Sequence, residues 1–154
     1  MNVTVTHQDG MIFEAKTAKS SFIIDCPVIS PVEYFLSGLI TCSATDMILM
    51  PKKQGYEVRN LTVEGDVERA AEHPRKFDTL HLTFSFDSLA EDTLATRWVM
   101  ASLETYCSTL NTVRESVTIS YTIRHNGQTI IKKETKISGG GSHTDFGDIG
   151  GCPS

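Results

Sequence analysis

Hydrophobic and polar positions alternate in several short stretches of the chain, and this period of two predicts β-strands. One such stretch opens the sequence at residues 2–6, and two further short strands are predicted at residues 11–15 and at the apolar run 22–24. The dipeptide Asp9-Gly10 between the first two is a turn signal, which predicts that they form a hairpin. Further strands are predicted at residues 58–67, 77–86, 117–123 and 129–135.

A longer apolar stretch follows the third strand and has the features of a helix start. Ser30 can cap the helix, Pro31 suits its first position, and Glu33 completes a capping box. The helix is predicted to run to about Met50, where Pro51 should end or kink it. Its apolar side chains cover most of the circumference, so we expect this helix to be buried on nearly all sides at the centre of the fold.

A second capping box, from Ser88 to Glu91, predicts another helix that ends near Cys107. The predicted order is three strands, a buried helix, two long strands, a helix and two strands. This order indicates an α+β fold with antiparallel sheets, because strands and helices do not alternate regularly. Residues 1–136 are predicted to form one domain, and the glycine-rich residues 137–154 a disordered tail.

Composition limits the classes of function. A length of 154 residues suits one domain, and 14 basic against 19 acidic residues give a net charge of −5, which argues against nucleic acid as a partner. The chain has no polybasic run and no apolar leader, so we expect a cytoplasmic protein without membrane contact. In that reducing compartment the cysteines should be mostly free thiols. The five histidines show no ligand spacing, so we expect no metal, and no cofactor is predicted.

Cys42 and Cys107 are the two cysteines that fall within predicted helices. A packed apolar side chain is the commonest role of a free cysteine. Gly38 lies one helical turn before Cys42 on the same face and would leave space beside its sulfur. Cys107 is predicted at a helix C-terminus, where the helix dipole opposes thiolate formation. If the two thiols act together, Cys107 should therefore be the poorer nucleophile.

Glu33 has a structural role in the capping box, but its position relative to Cys42 is informative. Nine residues of helix place it on the opposite side, roughly 13 Å away along the axis. Glu33 can therefore cooperate with Cys42 only if a second copy of the helix crosses the first, which requires a dimer. Asp46, one turn after Cys42, should raise the pKa of the thiol unless it is paired.

Three segments together resemble the OsmC/Ohr superfamily, and most closely its OsmC-like branch. They are Ser30-Pro31-Val32-Glu33 leading through Gly38 to Cys42, then Pro74-Arg75-Lys76-Phe77 before a strand, then Tyr106-Cys107-Ser108. The resemblance covers about residues 1–125. It implies an intertwined α+β homodimer, in which the central helices are buried between sheets and the active sites lie at the dimer interface.

The resemblance also implies roles for individual residues. Cys42 would reduce organic hydroperoxides, Cys107 would resolve the oxidised Cys42 to a disulfide, and Glu33 would help to organise the site. An external dithiol, possibly a lipoyl protein, would then regenerate the enzyme. The sequence departs from the peroxidases in having no arginine within residues 1–30. Arg75 is the candidate for the cation that a buried thiol needs to ionise.

Two functions remain open at this stage. One is a thiol-dependent peroxidase that acts through Cys42 and Cys107, which the retained cysteine pair favours. The other is a non-catalytic relative that binds a small apolar molecule at the dimer interface, which the missing arginine favours.

Overall fold

The computed structural model describes residues 1–135 and 146–150. The chain divides into two compact units, one formed by residues 1–38 and the other beginning at Leu39. The predicted boundary between residues 136 and 137 stays a prediction, because residues 136–145 and 151–154 lie outside the described residues.

The first unit contains a three-stranded antiparallel sheet and the start of a helix. Its strands are β1 (Val3–Asp9), β2 (Ile12–Thr17) and β3 (Ser21–Asp25), in the order β1-β2-β3. Gly10 connects the first two strands with a φ of +52°, a backbone conformation that glycine adopts at little cost. All three strands were predicted from the sequence, at residues 2–6, 11–15 and 22–24.

Helix α1 (Pro31–Lys53) begins with the predicted capping box. The Ser30 backbone N–H and hydroxyl donate to Glu33 Oε2 at 2.8 and 2.7 Å, and the Glu33 N–H donates back to Ser30 Oγ at 3.3 Å. The helix does not end at Met50 but includes Pro51 in its last turn. Gly55, with a φ of +82°, follows the helix and allows the chain to turn away.

The buried residues of α1 lie at helical spacing, which indicates one buried face. They are Leu39, Cys42, Ser43, Asp46, Met47, Met50 and Pro51. Phe35 and Ile48 are 51% and 45% exposed, so the single chain does not show the predicted burial on nearly all sides. In the described part of the chain, α1 is the helix that is long and apolar enough to cross a membrane. The core helix of a soluble protein meets the same criteria, so length and composition are weak evidence for a membrane span.

The second unit contains a four-stranded sheet in the order β4-β5-β6-β7. Its strands are β4 (Arg59–Arg69), β5 (Phe77–Asp87), β6 (Thr118–His125) and β7 (Gln128–Thr135). The outer pairs are antiparallel, as expected, but β5 and β6 are parallel, so the prediction of purely antiparallel sheets was wrong. The helical connection between β5 and β6 explains the difference, because it carries the chain back to the end where β5 began.

The helical connection contains three pieces where one helix was predicted. Helix α2 (Asp92–Ala101) is followed by a π-helical turn (Ser102–Tyr106), an extended residue at Cys107, and helix α3 (Ser108–Val113). The run of α2 and the π-helical turn ends at Cys107, as predicted, but the π-helical turn itself and helix α3 were not predicted. Ser88 does not cap α2 either, because the residue at the N-cap position is Glu91, whose side chain makes no capping hydrogen bond.

The core of the second unit lies between the sheet, α1 and the helical connection. On β5 the alternating residues Leu80, Leu82, Phe84 and Phe86 are buried, as the sequence pattern predicted. Trp98 of α2 is fully buried and donates from Nε1 to Gln54 Oε1 at 3.0 Å. Gly65 on β4 faces Ile40 of α1, where an added Cβ would lie 2.6 Å from the Ile40 Cδ1 atom. The glycine therefore permits the close approach of α1 to the sheet.

Candidate thiol site

Cys42 and Cys107 come together in the core of the second unit. Both thiols are buried and free, and they are close enough for each to shift the pKa of the other. The Cys42 Sγ lies 3.8 Å from Ser108 Oγ, and the Cys107 Sγ lies 4.0 Å from the carbonyl oxygen of Leu39, one turn before Cys42. The α1 helix supplies one thiol, and the turn between the π-helix and α3 supplies the other.

The backbone around Cys107 is held on both sides. Its N–H donates to the Ser102 carbonyl at 2.9 Å, which closes the π-helical turn. Its carbonyl accepts from the Asn111 backbone N–H at 3.1 Å and from Asn111 Nδ2 at 2.8 Å. These hydrogen bonds hold the Cys107 backbone in place beside α1. The two sulfurs are therefore near each other without a disulfide bond between them.

The two thiols have opposite acidities. Burial acts to raise the pKa of Cys42, but hydrogen bonds from the Thr109 N–H and hydroxyl, from Cys107 and from Ser108 outweigh it, so the pKa is lowered. Burial, and to a smaller extent the neighbouring Cys42, raise the pKa of Cys107 to about 12 against hydrogen bonds from Thr109 and Leu110. Cys42 therefore ionises more readily than Cys107, and the thiolate is the reactive form of a cysteine.

The sequence predicted a weakly acidic Cys107 for a different reason, because it placed this residue at a helix C-terminus. In the structure Cys107 is both the C-cap of the π-helical turn and the N-cap of α3, so the dipoles of the two segments act on it in opposite directions. The helix dipole therefore does not explain the weak acidity of Cys107. Depth of burial explains it instead, because an apolar environment disfavours the charged thiolate.

Ser108 and Thr109 donate hydrogen bonds to Cys42, a role that the sequence analysis did not predict. Thr109 Oγ1 lies 3.4 Å from the Cys107 Sγ and 3.3 Å from the Leu39 carbonyl oxygen. A serine and a threonine directly after a candidate cysteine were visible in the sequence. Their reach to Cys42 was not, because it depends on how α3 packs against α1.

Asp46 belongs to a buried polar cluster one turn beyond Cys42. Its Oδ2 accepts from the Ser102 hydroxyl at 2.8 Å, and the Ser102 Oγ is 3.0 Å from Ser43 Oγ. Its Oδ1 is buried and has no hydrogen-bond partner among the described residues. Burial raises the pKa of Asp46 to about 6, against the opposing effect of the Ser102 bond. Asp46 is not among the causes of the Cys42 shift, and the expected rise of the Cys42 pKa is not observed.

Glu33 and Arg75 do not gain a role in this site from the described contacts. The Glu33 carboxylate accepts both of its bonds from Ser30, which hold the pKa of that carboxyl below its usual range. Arg75 lies in the connection between β4 and β5, where its N–H donates to the Glu72 carbonyl and its carbonyl accepts from Arg69 Nε. Among the described residues it has no contact with Cys42. The two roles stay predictions.

Residues 146–150 of the predicted tail contact the second unit near Cys107. The Phe146 N–H donates to the Tyr106 hydroxyl oxygen at 2.7 Å, and that hydroxyl donates to the Gly147 carbonyl at 2.9 Å. The Arg97 guanidinium lies 5.4 Å from the centre of the Phe146 ring. Lys53 also donates to the Asp148 carbonyl.

Within the described ranges, no group of three His, Cys, Asp or Glu side chains is arranged to hold a metal ion.

Comparison with solved structures identifies the class of fold. A hypothetical protein from Aquifex aeolicus VF5 matches with a TM-score of 0.71 at 23% identity, over 81% of this chain and 96% of that one. The OsmC-like protein from Mycoplasma pneumoniae matches with a TM-score of 0.71 at 15% identity, over 80% and 95%. The organic hydroperoxide resistance protein of Bacillus subtilis matches with a TM-score of 0.53 at 18% identity, over 80% and 98%. The chain therefore has the mixed α+β fold of OsmC-like structures.

The sequence itself identifies the family. The family model described as OsmC-like protein matches residues 25–122, which include both α1 and the turn that carries Cys107. No curated protein matches the chain. This chain belongs to the OsmC-like protein family, as the resemblance of its three segments predicted.

Proposed function

We propose that this protein is a thiol-dependent peroxidase that reduces organic hydroperoxides through Cys42 and Cys107. The observation that carries the proposal is the contact of two free thiols whose pKa values are shifted in opposite directions. The thiol that attacks first needs a lowered pKa, because it must be ionised to act as a nucleophile. The thiol that reacts in the second step does not need a lowered pKa.

In the first step the Cys42 thiolate attacks the distal oxygen of the hydroperoxide. The O–O bond breaks, the sulfur becomes a sulfenic acid, and the alkoxide takes up a proton and leaves as an alcohol. Hydrogen bonds from Ser108 and Thr109 hold the thiolate before the attack. They take part of the role that a cation has in other activated thiols.

In the second step Cys107 condenses with the sulfenic acid, and a disulfide and water form. The charge of a Cys42 thiolate is one of the causes that raise the pKa of Cys107. Oxidation of Cys42 to a neutral sulfenic acid removes that charge, so the Cys107 thiol becomes more acidic when it has to react. An external dithiol, possibly a lipoyl protein, then reduces the disulfide by thiol–disulfide exchange.

We also propose that the protein is an intertwined homodimer with its sites at the interface. Large apolar side chains exposed in the single chain support this, since exposed apolar surface of this kind marks interaction sites. They are Val3, Val5, Met11, Phe22, Ile23, Val28, Ile29, Phe35 and Ile48. In the dimer, Glu33 and Arg75 would serve as the carboxylate and the cation of the peroxide site.

The alternative is a non-catalytic relative that binds a small apolar molecule at the dimer interface. One observation favours it: among the described residues, the hydrogen bonds that lower the pKa of Cys42 all come from neutral groups. A location in the cytoplasm accompanies either function as a prediction from the sequence.

Consumption of an alkyl hydroperoxide in the presence of an excess dithiol tests the proposal. Cys42→Ser should abolish both turnover and sulfenic acid formation. Cys107→Ser should consume one equivalent and then stop with a sulfenic acid at Cys42 that dimedone traps, and longer exposure should over-oxidise it. Cys26→Ser is the matched control and should keep full turnover.

Three results would contradict the proposal or part of it. Labelling of Cys107 before Cys42 would reverse the two roles. A wild-type protein that neither consumes the hydroperoxide nor reacts with dimedone would favour the binding function. Peptide mapping without reducing agent, after one equivalent of hydroperoxide, that finds no Cys42–Cys107 disulfide within one chain would contradict the second step.

A further inference from the structure

A second cluster of chemically active side chains lies where β5 and β6 end and α2 begins. The Ser88 Oγ is 2.8 Å from His125 Nε2, and His125 Nδ1 is 2.7 Å from Asp92 Oδ1. The His125 side chain is fully buried between its two partners, while the Asp92 side chain is 61% exposed. In this arrangement the serine contacts the histidine and the histidine contacts the aspartate, so the histidine can take the proton of the serine hydroxyl.

The surrounding hydrogen bonds fix the direction of each proton in the cluster. The Ser88 Oγ already accepts from the Ala90 N–H at 3.3 Å, so its own hydrogen is available for His125. An ionised carboxylate only accepts, so Asp92 binds the N–H at Nδ1 and leaves the lone pair at Nε2 facing Ser88. His125 is thus held in the tautomer that a general base requires.

The backbone of Ser88 is held in place by one side chain. The Ser88 N–H donates to Asn126 Oδ1 at 3.0 Å, and Asn126 Nδ2 donates to the Ser88 carbonyl at 3.1 Å. The Asn126 N–H in turn donates to the Phe86 carbonyl at 3.1 Å. Among the residues that the structure describes, the next N–H along the chain, that of Leu89, has no acceptor. It is available to bind an oxyanion that forms beside Ser88.

A cavity of about 480 Å³ opens directly beside Ser88, large enough for a small organic molecule. Its lining includes Tyr56 and Leu89, whose side chains are apolar. The single cation in the lining, Arg59, is paired with Glu57 at 2.7 Å, and Asp87 adds a further negative charge. This lining favours a neutral and partly apolar ligand over an anionic one.

We propose that Ser88, His125 and Asp92 form a second site, which hydrolyses small neutral carboxylic esters. Ser88 Oγ attacks the ester carbonyl while His125 Nε2 takes its proton, and the Leu89 N–H stabilises the oxyanion. His125 then returns the proton to the departing alcohol, and an acyl group remains on Ser88. Water, deprotonated by His125, releases the acid and restores the serine. Asp92 is a positioning residue, because it acts through His125.

A serine-directed alkyl fluorophosphonate tests the reactive serine in the unmodified wild-type protein. Mass spectrometry of the digested protein should find the phosphonyl group on Ser88. Ser116→Ala, which removes an exposed serine outside the cluster, should leave the labelling unchanged. No labelling of Ser88 at reagent concentrations that label known serine hydrolases would overturn the proposal. The cluster would then be a structural link between β6 and α2.

Hydrolysis of p-nitrophenyl butyrate tests the complete site. Ser88→Ala should reduce kcat by about a hundredfold or more, since it removes the nucleophile. Asp92→Asn should lower kcat at least about tenfold with little change in KM, because the exposed carboxylate orients His125 and does not touch the ester. Thermal unfolding of both variants shows whether a lower kcat results from loss of the fold. Equal rates for wild type and folded Ser88→Ala would overturn the proposal, whatever the result of the hydroperoxide assay.

Discussion

Ser108 Oγ lies 3.8 Å from Cys42 Sγ, although the two residues are 66 positions apart in the sequence. The contact connects the buried face of α1 to the first residue of α3. Together with the Thr109 N–H and hydroxyl, it offsets the effect of burial on the Cys42 thiol and lowers its pKa. The start of α3 therefore makes Cys42 the more acidic of the two buried thiols.

Removal of these donors should raise the pKa of Cys42. Each hydrogen bond to a charged group contributes about 1.5–3 kcal/mol, so Thr109→Val or Ser108→Ala should raise the pKa by about one unit. Because the thiolate fraction at neutral pH falls accordingly, reaction with hydroperoxide should slow by up to about tenfold. The ultraviolet absorbance of the thiolate as a function of pH measures the shift directly.

Thr112→Val is the matched control for these variants. The Thr112 hydroxyl donates to the Ser108 carbonyl at 2.8 Å, so the change removes a similar bond from the same helix without removing a donor to the sulfur. An equal pKa shift in the control would mean that α3 acts only as a scaffold.

Asp46 should make the protein less stable as the pH rises. Its pKa is raised from the usual value of 3.8 to about 6 by burial, so its favourable contribution is complete below the lower value and is lost as the pH passes the higher one. The loss should be on the order of 2–3 kcal/mol and should be nearly complete by about pH 7. Urea unfolding at a series of pH values measures it.

Asp46→Asn removes the titrating carboxyl and with it this dependence of stability on pH. The difference in unfolding free energy between wild type and variant should therefore change between about pH 4 and about pH 7. Asp78→Asn, which changes an exposed aspartate, is the control and should leave the wild-type pH dependence in place. A constant difference between wild type and Asp46→Asn from about pH 4 to about pH 7 would contradict the assignment.

A charge on the exposed side of α1 should weaken the proposed dimer. Ile48 is 45% exposed in the single chain, and burying a glutamate there in an interface would cost several kcal/mol. Light scattering after gel filtration should find a dimer for the wild type and a larger monomer fraction for Ile48→Glu. Leu89→Glu, at an apolar residue that is 98% exposed, is the control and should remain dimeric. A monomeric wild type at micromolar concentration would contradict the dimer.

The Tyr106 hydroxyl should hold the end of the chain against the second unit. It accepts from the Phe146 N–H and donates to the Gly147 carbonyl, and each bond contributes about 1 kcal/mol. Tyr106→Phe should therefore increase the rate of proteolysis around residues 146–150 by about tenfold. Tyr34→Phe, which removes a hydroxyl that donates to Ile23 at 3.4 Å, is the control. Unchanged proteolysis in Tyr106→Phe would show that the segment is held by other contacts.

The sequence by itself determined the elements whose signals are local. The alternation on β5 predicted its buried residues, and the capping box at Ser30 and Glu33 predicted where α1 begins. The three segments around Cys42, Arg75 and Cys107 were sufficient to predict the family. Each of these signals depends on neighbouring residues along the chain, so no knowledge of distant contacts was needed.

Tertiary structure alone decided the features that depend on distant residues. The parallel pairing of β5 with β6 follows from the path of the helical connection, and the start of α3 directly after Cys107 brings Ser108 and Thr109 to Cys42. The acidity of Cys42 depends on donors 66 and 67 positions away, and Ser88 meets His125 where a capping box was predicted. Such contacts form when separate elements pack together, and a pattern of neighbouring residues cannot encode them.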